Sequence, residues 1–481
     1  MKEIGYQIIL CSDAEPSSGF GTKLIDSLLP RNASGQVIIP ATHIKGLIRE
    51  NLEHLAGQFI DLQLINRLFG EEGGVEGALA HFDTAVSRQE KTLSVSRTRL
   101  NQYGVAESGS LRTSEAMAVG TVIDGRVLLR DNIHENFSDL VRLGLLSLTM
   151  IGGQRNRGAG SCYINIDGEM RSPGDILIHL SEQNDWTVSA PVDEVVTQSN
   201  DDDHVVAVKL VFDAENSVCV PENPVSNNII NSGFSIPASA VQGMVLHRIN
   251  DIAPSLATAC FESDSFRVWP LNPTNEGENL SVRVSLTHKV SKLPDEKGDL
   301  LFMDESWAPY DVAKIPANAP LKSSDGVLLM TQEGVMLWKS STMAREITAH
   351  GVINGDRGKG QKRNLFVVES LAPMTFVGFV MLPEKAANLL MESVAKDPHV
   401  QLGKSRSVRG GGRLKAEVVE LNSLPLFNQE SSTFIIQSPV LVGRDEVNLP
   451  VAEIISRLVR DAGLGEVEVS SGSVNIQFGW N

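Results

Sequence analysis

The 481-residue chain is poor in what several function classes require. Its four cysteines, Cys11, Cys162, Cys219 and Cys260, are scattered, with no CxxC pair and no Cys/His spacing of the zinc type, which argues against both a disulfide framework and a structural zinc. No apolar run approaches the ~18 residues of a membrane helix, and the early stretch IIL is broken at once by Cys11-Ser12-Asp13. Neither a membrane span nor a secretory leader is therefore expected, and a cytoplasmic location is. Aromatic residues are only 5%, too few for a protein that grips bases chiefly by stacking. Basic residues are in deficit, 42 against 59 acidic for a formal charge of −17, so any nucleic-acid surface must be a local basic strip. GxxxxGK[ST], GxGxxG in a strand-to-helix context, GxSxG and HExxH are all missing, which sets aside the commonest nucleotide, hydrolase and metalloprotease sites.

What the chain does contain is a repeat. VIIPATHIKGLIREN at Val37–Asn51 is echoed by FSIPASAVQGMVLHR at Phe234–Arg248, pairing Pro40 with Pro237 and Gly46 with Gly243. IGGQRNRGAGSCYI at Ile151–Ile164 is echoed by LGKSRSVRGGGRLK at Leu402–Lys415, aligning Gly158 with Gly410. The order is the same in both halves, and the polar run Thr197–Asp203 reads as the linker between them. Each first motif reads as strand, turn and helix. Strand-like Gly125–Leu129, helical Phe137–Met150 and alternating Ser161–Ile166 follow in one half; Asn364–Leu382, Ala386–Ala395 and Leu414–Val419 follow in the other. The expectation is an α+β chain of two β-α-β-β-α-β (ferredoxin-like, RRM-like) sandwiches in tandem with inserted hairpins and loops. They span 1–196 and 204–430, and a segment 431–481 packs on the second.

Three places carry chemistry. Asp26 lies in the Gly-containing loop before the first Ile-Pro strand, where a carboxylate can bind a hard divalent ion or polarise a 2′-hydroxyl beside a phosphate. Taken alone, it is more readily a solvated or turn-capping residue. The helix start at Thr42-His43-Ile44-Lys45-Gly46 offers backbone N–H groups, with Lys45 and Arg49 one turn apart, which suits a phosphodiester backbone or an ordinary capped helix about equally. His43 is a candidate general base or simply a polar helix-start residue. The glycine-rich loops let backbone approach phosphates, at Gly158 and Gly160 in the first, while Arg155, Arg157, Lys404, Arg406, Arg409 and Arg413 supply charge. Arg357 and Lys359 belong to a further basic strip, 357–363, that could lie over a strand of nucleic acid or be a solvated loop tip.

Together these segments resemble the RAMP superfamily of CRISPR-associated proteins. The resemblance rests on IPATHIKGLIREN, on Leu68-Phe69-Gly70, on Leu111-x-x-x-Glu115-x-x-x-x-Gly120 and on the glycine-rich loop Ile151–Gly160. It implies a subunit of a type III effector complex that binds guide RNA and complementary target RNA beside other protein subunits. The tandem arrangement is similar to the fused proteins of subtype III-D. In the group that the first half looks most like, an Asp at nearly the place of Asp26 cleaves target RNA, which implies a metal-dependent endoribonuclease using a divalent ion, Mg2+ by expectation. The second half departs from the pattern: Gln242 stands for Lys45, Leu246 for Arg49, and Ser226–Gly233 has no acid. One active and one architectural half are therefore expected. Two alternatives stay open, a non-catalytic guide-RNA scaffold and a guide-processing nuclease using His43.

Overall fold

The computed structural model describes residues 1–188 except 58, 72–76, 90–91 and 184, and 204–284 except 222–228, 264, 276 and 278. It also describes 288–291, 302–304 and 321–323, 325–420 except 332–333 and 355–358, and residue 453. The linker 197–203, Arg357 and, apart from residue 453, the segment 431–481 lie outside the described residues.

Period-two burial builds the first sheet. In β1 (Lys2–Leu10) Ile4, Tyr6, Ile8 and Leu10 point inward. It is followed by β2 (Ile38–Ile39), α1 (Ala41–Leu55), α2 (Leu62–Phe69), β3 (Ala80–Phe82), β4 (Ala85–Ser87), β5 (Thr92–Arg97), β6 (Arg112–Met117), β7 (Val122–Leu129), α3 (Glu135–Leu146), β8 (Cys162–Ile166) and α4 (Pro173–Ser181). Six of the strands form an antiparallel sheet in the order β2-β4-β7-β1-β8, with β3 also on β7, while β5 and β6 make a separate hairpin. Strand β7 begins before Gly125, the start expected from sequence, because Gly125 lies opposite Tyr6 and makes room for its ring: a Cβ there would sit 2.3 Å from Tyr6 Cζ. α1 puts Ile44, Leu47, Ile48 and Leu52 on one buried face. α3 begins at Glu135, two residues before the expected start, because the His134 side chain accepts from Asn136 N and caps it. Its last turn ends at Leu146, four residues short of Met150.

The second half runs β9 (Val205–Ala214), β10 (Ile229–Ile230), α5 (Ala238–Asn250), α6 (Pro254–Glu262), β11 (Arg267–Val268), β12 (Asn272–Thr274), β13 (Ser281–Arg283), β14 (His288–Ser291), β15 (Phe302–Asp304), β16 (Leu321–Ser323), β17 (Gly326–Thr331), β18 (Gly334–Lys339), β19 (Arg345–Asn354), β20 (Lys359–Leu371), β21 (Thr375–Pro383), α7 (Glu384–Lys396), β22 (His399–Gln401) and β23 (Gly411–Val419). Its six-stranded sheet has the order β11-β21-β9-β23-β22, with β12 also on β21. The register repeats that of the first sheet: Ile4 meets Val127 and Val127 meets Phe82, as Val208 meets Val380 and Val380 meets Val268. The hairpins repeat too, since Ala14 bridges Met117 as Val218 bridges Leu371.

Two apolar cores result. One gathers β1, α1 and α3 around Ile8, Ile48 and Phe137; the other gathers β9, α5 and α7 around Phe212, Val245 and Leu390. Val408, from the second half, packs into the first core. The chain is thus a mixed α/β protein with antiparallel sheets and seven α-helices among the described residues.

Candidate RNA interface and nuclease loop

The loop carrying Asp26 is an arch folded back on itself. Ser18 N donates to Leu28 O and Leu28 N to Phe20 O, both 2.9 Å, and Thr22 N donates to Ile25 O at 2.7 Å. Gly21 is needed where the arch closes, since a Cβ there would lie 2.5 Å from Asp26 O. The arch is fixed to β6 at Asp26 itself. Asp26 N donates to Thr113 O, and Thr113 N donates to Asp26 Oδ2, both 2.8 Å. Glu115, the acid of the Leu111–Gly120 pattern, accepts from Leu29 N at 3.0 Å and pairs with Arg31. Burial works against its charge, and Thr92, Leu29 N and Arg31 outweigh it, holding the carboxyl below its ordinary range. The outcome is an exposed carboxylate with one oxygen fixed by a backbone N–H and the other without a hydrogen bond among the described residues.

The matching position in the second half is an isoleucine. Ser27 bridges Ser114 in parallel, three residues before Met117, and Ile230 pairs in parallel with Val368, three residues before Leu371. Ile229 therefore stands where Asp26 does.

A divalent ion fits this loop only in part. Among the described residues no group of three or more His, Cys, Asp or Glu could hold a metal. Mg2+ characteristically takes one or two carboxylates and completes its shell with water and substrate phosphates, so a single fixed carboxylate is compatible with an ion recruited together with RNA.

The helix start is tied inward to both glycine-rich loops. His43 Nε2 accepts from Gly152 N at 3.0 Å, so the lone pair that a general base needs is engaged. Burial, then the Arg155 charge, lowers its pKa to about 4, and the ring is neutral at pH 7. Lys45 Nζ donates to Phe69 O at 2.7 Å and to Ser407 Oγ at 2.8 Å. Burial, then Arg49, lowers its pKa to about 8. Arg49 donates to Glu53 at 2.6 Å, to Asn66 Oδ1 at 2.8 Å and to Gly70 O at 3.1 Å. The Leu68-Phe69-Gly70 segment thus supplies carbonyl acceptors to Lys45 and Arg49. These two cations hold the fold together in this structure, and Thr42 beside them is half-buried.

The two loops share one backbone. Ile151 N donates to Gly160 O as Leu402 N does to Gly410 O, and Gln154 and Ser405 both adopt left-handed φ, 57° and 61°. A Cβ on Gly160 or on Gly410 would sit 1.8 Å from the carbonyl oxygen of Ile151 or Leu402. The structure therefore pairs Gly410 with Gly160, not with Gly158 as the spacing in sequence suggests. Gly158 is instead an extra residue at the loop tip, with open space around its Cα.

The basic side chains of the loops divide. Lys404, Arg406 and Arg157 are exposed, and Arg155 is half-buried. Arg413 is 56% exposed and paired with Glu215 at 2.9 Å. Arg409 departs from the expected phosphate contact: only 7% exposed, it turns inward and donates to Thr348 Oγ1 and His350 Nε2, both 2.8 Å. Its neighbours explain this, because the hairpin β19–β20 covers the loop from behind. Lys359 lies in β20, and nothing is assigned to its side chain.

Sequence reasoning missed the junction between the halves. His81 Nδ1 donates to Arg406 O, and Phe82 N donates to Ser407 O at 2.8 Å. Behind them Asp83 lies 2.9 Å from His81 Nε2, accepts from Asn216 Nδ2 at 2.5 Å and pairs with Arg126, which also bonds Glu215. Burial penalises the Asp83 carboxylate, but His81 and Arg126 outweigh it and keep its pKa below the ordinary value. No local motif announces this network, because its members lie far apart in sequence.

Residues 17–163 match the family model of the RAMP superfamily. The chain is similar to one from a cryo-EM structure of type III-B Cmr-beta in the apo state, at 13% identity and a TM-score of 0.30, covering 35% of this chain and 98% of that one. It is also similar to one from a cryo-EM structure of type III-B Cmr-beta bound to cognate target RNA, at 19% identity and a TM-score of 0.28, covering 34% and 61%. No curated protein matches it. No helix among the described residues is long and apolar enough to cross a membrane.

Proposed function

We propose that the chain is a guide-RNA-binding subunit of a type III CRISPR effector complex, built of two ferredoxin-like RAMP domains in tandem as in the fused proteins of subtype III-D, and that its first domain cleaves complementary target RNA through Asp26. The observation that carries the reading is the Asp26 loop, which lies within the matched segment 17–163 and holds an exposed carboxylate in a fixed position against Thr113. Ile229 at the equivalent place supports one cutting and one architectural domain. The domain assignment is supported by the repeated strand order and register.

On this reading the exposed Lys404 and Arg406, with Arg155 and the backbone of the glycine loops, contact RNA phosphates, while Lys45, Arg49 and Arg409 shape the surface from within. Asp26 would hold a divalent ion recruited with RNA, and such an ion would supply charge stabilisation at the scissile phosphate. The chain's own contribution is orientation. One hydrogen bond with Thr113 fixes the Asp26 backbone and the other, from Thr113 N, fixes its carboxylate, so that a 2′-hydroxyl aligned with the adjacent phosphate meets it without loop rearrangement.

The test compares wild type with Asp26→Ala in the reconstituted complex, with guide, labelled complementary RNA and magnesium at matched guide occupancy. Cleavage is expected to fall by ~10²–10⁴ while RNA binding persists. An unchanged cutting pattern would make the chain a scaffold, and an equal loss of guide binding would make Asp26 a binding residue.

A further inference from the structure

The loop that carries Asp26 rests on both halves of the chain. On its own side it is pinned at Thr113 of β6, and Arg31 pairs with Glu115 of the same strand. On the other side it meets β19, the edge strand of the sheet β10-β20-β19 in the second half. Two contacts make this second footing. Gly19, with a left-handed φ of 80°, approaches Ala349 so closely that a Cβ there would sit 2.8 Å from Ala349 Cβ. Ala33 N donates to Glu346 Oε1 at 3.3 Å.

The second contact is prepared by the turn 32–36. Asn32 N bonds Gln36 O, Gly35 N bonds Asn32 O, and Ser34 N and Gln36 N both bond Asn32 Oδ1. Ala33 N is the backbone donor of this turn that leaves it, and Glu346 is the acceptor it meets. The half-buried Glu346 carboxyl is held in its turn by Ser217, and the Arg409 charge favours its ionised form. Arg409 also anchors β19 through Thr348 and His350. Burial outweighs these partners and raises the Glu346 pKa above the ordinary carboxyl value, so a neutral amide of the same shape is a small change there.

The hairpin of the first half offers no such group. Thr92 lies opposite Met117 as Arg345 lies opposite Leu371, so Leu93 stands where Glu346 does. The bracing carboxyl belongs to the half whose own loop has Ile229 in place of Asp26.

We propose that Glu346 is a positioning residue for target-RNA cleavage, through which the second half holds the Asp26 loop of the first in its cutting geometry. It acts through Ala33 and not on the RNA. Releasing Ala33 frees one foot of the loop while Thr113 still holds the other, so the Asp26 carboxylate spends less time aligned with the 2′-hydroxyl. The half without a loop acid then sets the rate of the half that has one. The inference rests on the nuclease reading above and deepens it by assigning control of that site to a residue of the other half.

The test measures single-turnover cleavage of labelled complementary RNA, and its affinity, in the reconstituted complex at saturating target and matched guide occupancy. Wild type, Glu346→Ala, Glu346→Gln and Asp26→Ala are compared. Glu346→Ala should slow cleavage about tenfold, less than the ~10² that a displacement of about 1 Å can cost, with target affinity unchanged. Glu346→Gln keeps an oxygen that accepts from Ala33 N and should cut within about twofold of wild type. Amide hydrogen exchange reads the contact without cleavage: peptides covering residues 17–36 should exchange faster in Glu346→Ala and at the wild-type rate in Glu346→Gln. Any of four results overturns the proposal: exchange that Glu346→Ala leaves unchanged, an undiminished cleavage rate in that variant, a loss of target affinity that matches the loss of rate, or a Gln variant as slow as the Ala variant. Cleavage that survives Asp26→Ala removes the nuclease reading and this one with it, whereas Asp26-dependent cleavage that Glu346→Ala does not slow removes this one alone.

Discussion

The two glycine-rich loops have the same backbone and opposite surroundings. In both, a left-handed residue follows the first glycine and the last glycine lies against a carbonyl. In the second, Val408 and Arg409 turn inward, one into the neighbouring core and the other onto Thr348 and His350; in the first, the tip faces outward. The comparison teaches that a repeated motif preserves a shape more strictly than a role. Glycine spacing fixes where the chain goes, and whatever packs against the loop decides whether an arginine there is a binding group or a structural one.

The sharpest test of the shared shape is Gly160→Ala beside Gly410→Ala. Each combines left-handed φ with a 1.8 Å clash against backbone, so each should cost more than ~4 kcal/mol, read by chemical denaturation. Gly158→Ala, with open space and only the left-handed penalty, should cost ~1–2 kcal/mol, and equal costs at Gly158 and Gly160 would break the pairing. Next in size is the junction. Asp83→Ala leaves His81 and Arg126 without their carboxylate, and a loss of ~3–5 kcal/mol is expected in urea titration.

The halves also share a titration. The pKa values of His43 and His350 are each lowered to about 4, by burial first and then by Arg155 and Arg409 respectively. The unfolded chain takes up these protons near pH 6.5 and the folded chain only near 4, so stability falls as pH drops through that window. Each ring should contribute a loss of ~3 kcal/mol. His43→Gln should therefore remove about half of the fall that the two rings produce; an unchanged pH profile would refute the neutral, engaged state of His43. The smallest effect belongs to Arg157→Ala, which should change stability by less than ~0.5 kcal/mol, whereas Arg409→Ala should cost several times more.

Much of the frame is legible in sequence. The apolar spacing of Ile44, Leu47, Ile48 and Leu52 gives α1 its buried face, and the Ile-Pro steps at Pro40 and Pro237 mark both helix starts. Boundaries failed where a partner sets them: His134 caps α3 earlier than its apolar pattern suggests, and Tyr6 allows β7 to run through Gly125. At the site, residue types are visible and orientation is not. Lys45, Arg409 and Asp26 find Ser407, His350 and Thr113 across long stretches of chain, and a charge pattern cannot say that a lysine on a helix face ends against a loop of the other half.

The internal junction has few apolar members beyond Val408 and relies on polar contacts around His81 and Asp83. Two separate proteins meeting through such a surface would exchange readily. Here residues 189–203 join the partners covalently, and a short tether raises the effective concentration of one for the other to the order of millimolar. The halves are thus bound to a fixed one-to-one ratio and a fixed order before any neighbour arrives. A cut in this tether would turn a permanent joint into a reversible one, with no contact at the joint itself altered.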